Sequence, residues 1–222
     1  MAIFRNSDGF ATTQEGERHA GFSRPLKFDY HEFWEDFIVA ASGTPAGFTH
    51  STVGTTPTVA IGANSTLVQT LPTEDNATSA LYATTASMTI AAGKRAYFRA
   101  RLTIDKSASG TIGEQEFFVG LSSAQTTTNF MAADGLSMAV DNAVGFVSYD
   151  GTANICCVSR ATDVESVEAN AATYAQATYM ELAWDWDGST IKFYKDTNLV
   201  ASITTTPSTT AMVPMLYFKA GE

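Results

Sequence analysis

The sequence predicts an all-β protein: two antiparallel sheets packed as a β-sandwich, with an N-terminal extended arm in front. Three observations carry this expectation. Apolar and polar residues alternate with a period of two, most clearly where Phe98, Ala100, Leu102 and Ile104 are interleaved with Arg99, Arg101 and Thr103, as a strand with one buried face requires. Turn signals rich in Gly, Pro, Asn and Asp recur along the whole chain and divide it into about eleven to thirteen short strands. No long stretch repeats with the period of a helix, and no fixed-length repeat points to a solenoid or propeller.

Residues 1–33 form the arm and residues 34–222 the sandwich. The first segment mixes charge, Gly and isolated aromatics; Phe4, Phe10, Phe22, Phe28 and Tyr30 are spaced too irregularly for one amphipathic helix. It is either disordered or an extended arm whose aromatics dock on the sandwich or on a neighbouring subunit. Docking is preferred, because a solvated tail would need fewer aromatics. In HEFWEDFIVAASG, Phe33, Trp34, Phe37 and Ile38 fit a helical face, but a strand over residues 36–41 is the preferred reading; Gly43 and Pro45 end the element. Short strands follow over residues 58–61 and 66–71.

Next, AAGK is expected to turn the chain between two strands, the second carrying Tyr97, Arg99, Arg101 and Thr103 on its wetter face. EFFVGLSS is a further strand, and AVGFVSYDGTANICCVSR reads as a hairpin through Asp150 and Gly151. The alanine-rich ATDVESVEANAATYAQATY could form a helical turn, but its few long apolar side chains make a crossing loop the preferred reading. Then Met180, Leu182, Trp184 and Trp186 point one way, and Tyr179, Glu181, Ala183, Asp185 and Asp187 the other. Asp187, Gly188 and Ser189 turn the chain into STIKFYK, and Asp196, Thr197 and Asn198 turn it into LVASIT. The last strand, MVPMLYFKAG, carries Pro214 near its start, which suits an edge or an irregularity better than a central ladder.

Composition narrows the function. Charged residues make up 16% and the net charge is −10, with no Lys/Arg cluster able to grip a phosphate backbone, so no direct nucleic-acid partner is expected. The N-terminus lacks the apolar run of a secretory signal, and no stretch approaches the roughly 18 apolar residues that span a bilayer, so no membrane partner is expected. Cys156 and Cys157 are adjacent in a strand and point to opposite faces, a poor geometry for a mutual disulfide. Free thiols agree with synthesis and assembly in a reducing cytosol.

The runs AYFRARLTI, EFFVGLSS and ELAWDWDGSTIKFYKDTNLVASIT resemble the concanavalin A-like lectin and laminin-G-like jelly rolls: Ile191, Phe193 and Tyr194 match the hydrophobic strand, Asp196 the turn, and Leu199 and Val200 the return. Thr197 and Asn198 stand where those families often have glycine. The resemblance covers most of residues 80–220 and is nearly silent on function. The whole also resembles β-sandwich capsid decoration, or cement, proteins of tailed bacteriophages. That resemblance implies a virion structural protein on the capsid exterior, assembled in the host cytoplasm. It would bind the major capsid protein lattice as a homo-oligomer, for instance a trimer, with Phe4, Phe10 and Phe22 buried on assembly.

Carbohydrate binding is the alternative. Sugars need exposed aromatic platforms beside polar groups, and among Tyr149, Trp184, Trp186, Tyr194 and Tyr217 the tryptophans fall on the core face. Tyr97 and Tyr179, on wetter faces, are the better glycan-binding candidates. Glycoside hydrolysis is disfavoured, and no catalytic residue is assigned. The fold's E-x-D-x-E or E-x-D-x-x-E strand is absent; Glu114 and Glu116 share one face, while Glu181 and Asp185 stand roughly 13 Å apart along theirs. Asp185, Asp187, Asp196 and Asn198 could approach a cation, but turn formation already explains three of them. His19, His31 and His50 are remote in sequence from the cysteines. No metal or cofactor is expected.

Overall fold

The computed structural model describes residues 4–5, 11–12, 43–45, 47–54, 57–62, 66–70, 77–86, 88–105, 115–126, 130–131, 137–149 and 152–220. Its strands are β1 (Phe4–Arg5), β2 (Ala11–Thr12), β3 (Phe48–Val53), β4 (Thr58–Gly62), β5 (Thr66–Thr70), β6 (Thr78–Ala83), β7 (Ala96–Leu102), β8 (Glu116–Ser122), β9 (Ala143–Ser148), β10 (Asn154–Ala161), β11 (Val164–Thr173), β12 (Met180–Trp186), β13 (Ile191–Lys195), β14 (Asn198–Ile203) and β15 (Val213–Lys219). There is no helix among the described residues.

Seven strands form one antiparallel sheet in the order β11-β10-β9-β8-β15-β6-β3, and four form a second in the order β14-β13-β12-β7. Two small hairpins, β1-β2 and β4-β5, complete the pairing. The second is tied to the large sheet where Gln69 Nε2 donates to Ser79 Oγ at 2.6 Å, beside the 2.8 Å His50–Ser79 hydrogen bond. The expected strands over 58–61 and 66–71 are this hairpin. The preferred strand over 36–41 and most of the 1–33 arm lie outside the described residues.

Alternation decides what lies between the sheets. Phe117, Val119, Leu121, Val144, Phe146, Ile155 and Cys157 of the large sheet meet Leu182, Trp184, Trp186, Ile191 and Phe193 of the small one. Phe146 and Phe193 meet edge-to-face across the gap at 5.4 Å, and Phe98 stacks on Trp184 at 6.0 Å. The predicted inward set Met180, Leu182, Trp184 and Trp186 is buried as expected.

The other face of the large sheet is also buried. Ala80, Tyr82, Phe118, Val147, Cys156, Val158, Met215 and Tyr217 form a second apolar cluster with Phe130, Met131, Met138 and Val140, which belong to the connection between β8 and β9. The Phe130 ring lies 4.7 Å from Tyr217 and 5.1 Å from Phe118. Burial on both faces explains why β8 and β9 read as nearly continuous apolar runs. Burying each such ring contributes roughly 1.5–3 kcal/mol.

Several expectations are corrected. The AAGK turn is present, the Lys94 amide donating to the Ala91 carbonyl at 3.1 Å, but the strands it separates lie in different sheets: β6 pairs with β15 and β3, and β7 with β12. The alanine-rich region is a ten-residue edge strand, β11, not a crossing loop. Thr162 and Asp163, both at positive φ, make a two-residue turn that folds it onto β10. β3 was not anticipated from the sequence. The turn after β13 is two residues, Asp196 and Thr197, with Asn198 already in β14.

Pro214 sits in an interior strand. Met212 exchanges both backbone bonds with Met88 at 3.1 and 2.8 Å, so Pro214, two residues on, also faces away from β8. The ladder to β6 begins only at Met215, so the missing N–H falls where pairing has not yet started.

Candidate glycan platform

The outward face of the four-stranded sheet gathers the exposed aromatic and charged residues that alternation forces out of the core. Strand register sets them in rows: Tyr97, Asp185 and Lys192; then Arg99, Ala183 and Tyr194; then Arg101 and Glu181. Tyr179, one residue before β12, is 54% exposed, and the Arg101 guanidinium carbon lies 4.9 Å from the centre of its ring. Both predicted glycan-binding residues, Tyr97 and Tyr179, therefore belong to one face, towards opposite ends of the β7-β12 pair. Ala183 is buried at its centre beneath larger neighbours.

Charges on this face are tied down unevenly. Arg99 pairs with Glu181, diagonal to it across the ladder. Asp196 accepts from the Glu181 amide at 2.8 Å and from Lys195 Nζ at 2.6 Å. Burial, with a push from Asp187, raises the Asp185 pKa, against the pull of Arg95 and Lys192. Burial likewise raises the Tyr194 phenol, with Asp185 adding to it. Asp187 is held well below the usual carboxylate range by the Thr190 amide, the Ser189 hydroxyl and the Ser189 amide.

The remaining candidates lie elsewhere. Trp184 and Trp186 are core residues, and Trp186 Nε1 donates to the Ala91 carbonyl at 3.2 Å. Tyr217 is buried in the second apolar cluster; the Tyr149 hydroxyl donates to Glu165 at 3.0 Å, and Arg160 reaches the same carboxylate at 3.1 Å. Glu116 is 1% exposed and accepts from Lys219 at 2.6 Å. Glu114, Phe10, Phe22, His19 and His31 lie outside the described residues, as does the side chain of Phe4.

Asp187 and Asp196 occupy turns at opposite ends of β13, so the four oxygen donors considered for a cation do not converge. Among the described residues no three His, Cys, Asp or Glu side chains come together as a metal would require. Cys156 and Cys157 are free and buried, one in each apolar cluster. Burial pushes both thiols up, most strongly at Cys157.

No protein-family model and no curated protein sequence matches the chain. Solved structures do. An endo-1,3-β-glucanase from Streptomyces sioyaensis aligns over 90% of this chain and 88% of its own at 15% identity, with a TM-score of 0.61. The fold is a concanavalin-like jelly roll. A carbohydrate-binding module from Bacillus subtilis aligns over 81% of this chain and 90% of its own at 14% identity and a TM-score of 0.47. A Bacillus licheniformis β-glucanase aligns over 86% and 85% at 14% identity and a TM-score of 0.46. An identity of 15% speaks to the fold alone, and a fold does not fix a function.

One residue of the face, Arg101, escaped the sequence-based choice of candidates. Arg101 was legible as outward-facing, but its seat on Tyr179 depends on β7 lying beside β12. Tyr194 was considered as a platform, yet its place opposite Ala183 comes from the register with β13.

Proposed function

We propose that the chain is a non-catalytic carbohydrate-binding module whose platform is the outward face of the four-stranded sheet. The observation that carries this reading is the placement of Tyr97, in β7, and Tyr179, just before β12, on the outward side of the β7-β12 pair. Aromatic surface there is interleaved with Arg99, Arg101, Glu181 and Asp185. A sugar presents apolar C–H faces and hydroxyl edges, so it needs rings and hydrogen-bonding groups side by side. The ladder from Tyr97 to Arg101 is roughly 13 Å long, enough for two sugar rings in series.

A catalytic reading gains no support from the same face. Glu181 is held by Arg99, and Asp185 stands two alternations away on the same strand rather than across a groove. The capsid reading rests on Phe4, Phe10 and Phe22, and the body of the sandwich adds no observation in its favour.

Glycan-array and affinity-gel measurements test the platform. Tyr97→Ala and Tyr179→Ala are each expected to weaken binding about 3- to 10-fold, the equivalent of about 0.5–1.5 kcal/mol per aromatic contact. Retention of full affinity in the double variant would remove this face from consideration.

A further inference from the structure

The charge pattern of the same face narrows the ligand, an inference that rests on the glycan reading above. The chain has 13 Lys and Arg against 23 Asp and Glu, so its cations should be easily neutralised. On this sheet one is not. Register sets Arg101 opposite Glu181, but the Glu181 carboxylate turns to Arg99 and its backbone N–H to Asp196. Lys192 takes Asp187 at 3.4 Å, and Arg95 acts on Asp185. Arg101 meets no carboxylate among the described residues; its guanidinium lies over the exposed Tyr179 ring instead.

We infer that Arg101, held on Tyr179, is a carboxylate receptor, and that the ligand of this face is an acidic glycan containing uronate units. A guanidinium held against an aromatic ring keeps its planar fork of N–H donors oriented, and that fork matches a carboxylate with two parallel hydrogen bonds. A uronate carries its carboxylate directly on the pyranose ring, so the charge and the apolar sugar face arrive together. Tyr179, more than half exposed, offers ring surface beside the fork. The neighbouring carboxylates would repel a polyanion were they unpaired. Glu181 and Asp187 have cationic partners, which leaves Arg101 as the local positive feature.

The test compares three polymers on the intact protein: a polyuronate, the same polymer with its carboxyl groups reduced, and a neutral β-glucan. The polyuronate is expected to bind about tenfold more tightly than its reduced form. Arg101→Gln should abolish that difference, bringing the polyuronate down to the affinity the variant keeps for the reduced polymer, in a chain that still unfolds cooperatively in urea, and added salt should weaken only the polyuronate in the parent protein. Equal binding of polyuronate and reduced polymer overturns the uronate inference and leaves the glycan platform standing. A polyuronate preference that survives Arg101→Gln overturns the assignment to Arg101. Binding of none of the three polymers overturns the platform itself, and the inference with it.

Discussion

At the scale of single residues, the tightest constraint is a pair of glycines. Gly120 of β8 and Gly145 of β9 face each other directly, and the Phe118 ring lies against both. A Cβ on Gly120 would stand 2.2 Å from the Val144 carbonyl oxygen, 2.7 Å from the Gly145 Cα and 2.9 Å from the Phe118 ring. The two nearest atoms are backbone, so relief requires the strands to move apart. Gly120→Ala is therefore expected to destabilise the fold by about 1–3 kcal/mol, read as a lower urea midpoint; an unchanged midpoint would show that the ladder yields without cost. Sequence alone marks Gly120 only as a small residue inside an apolar run. Its partner is 25 residues away, and the register that joins them is a long-range property. By contrast, the inward placement of Trp184 and the separation of Cys156 from Cys157 were legible, because both follow from strand alternation alone.

At the scale of elements, turns decide more than strands do. Asp187 Oδ1 accepts from the Ser189 amide, the Ser189 hydroxyl and the Thr190 amide, each at 2.9 Å, and so closes the β12-β13 hairpin around Gly188 at φ +104°. These bonds favour the ionised form, so the folded-state pKa lies below that of the unfolded chain. The resulting stabilisation is complete above the ordinary carboxylate range and fades as pH falls through the folded value. Asp187→Ala should accordingly lower the Tm near neutral pH, with the gap from the parent narrowing below about pH 4. A gap that stays constant down to strongly acidic pH would contradict the role of the carboxylate. This turn was legible from Asp-Gly-Ser. The turn into β11 was not, because Thr162 and Asp163 adopt positive φ without a glycine. β11 itself was hidden for a second reason. As an edge strand with one sheet neighbour it leaves much of its length exposed, so it needs no apolar alternation, and its alanines carry little strand signal.

At the scale of the whole molecule, the expectation that residues 1–33 form an arm in front of a 34–222 sandwich predicts that a chain lacking residues 1–24 still unfolds in one cooperative step, with Trp184 and Trp186 shielded from quenchers. Loss of cooperativity, or free access of iodide to the indoles, would place the first residues inside the core. The period of two, with the recurring turn signals, determined that the chain is a β-sandwich, and it assigned the inward and outward faces of β7 and β12. Only the tertiary structure decided which strands are neighbours. It placed β6 and β7 in different sheets, set β15 between β8 and β6, and folded Phe130 and Met138 over the outer side of the large sheet. It also laid Arg101 on Tyr179. The physical reason is that alternation is a local consequence of the pleat, fixed by each residue's immediate neighbours. Strand order and register are instead settled by which distant apolar faces bury one another, and no short stretch of sequence contains both partners.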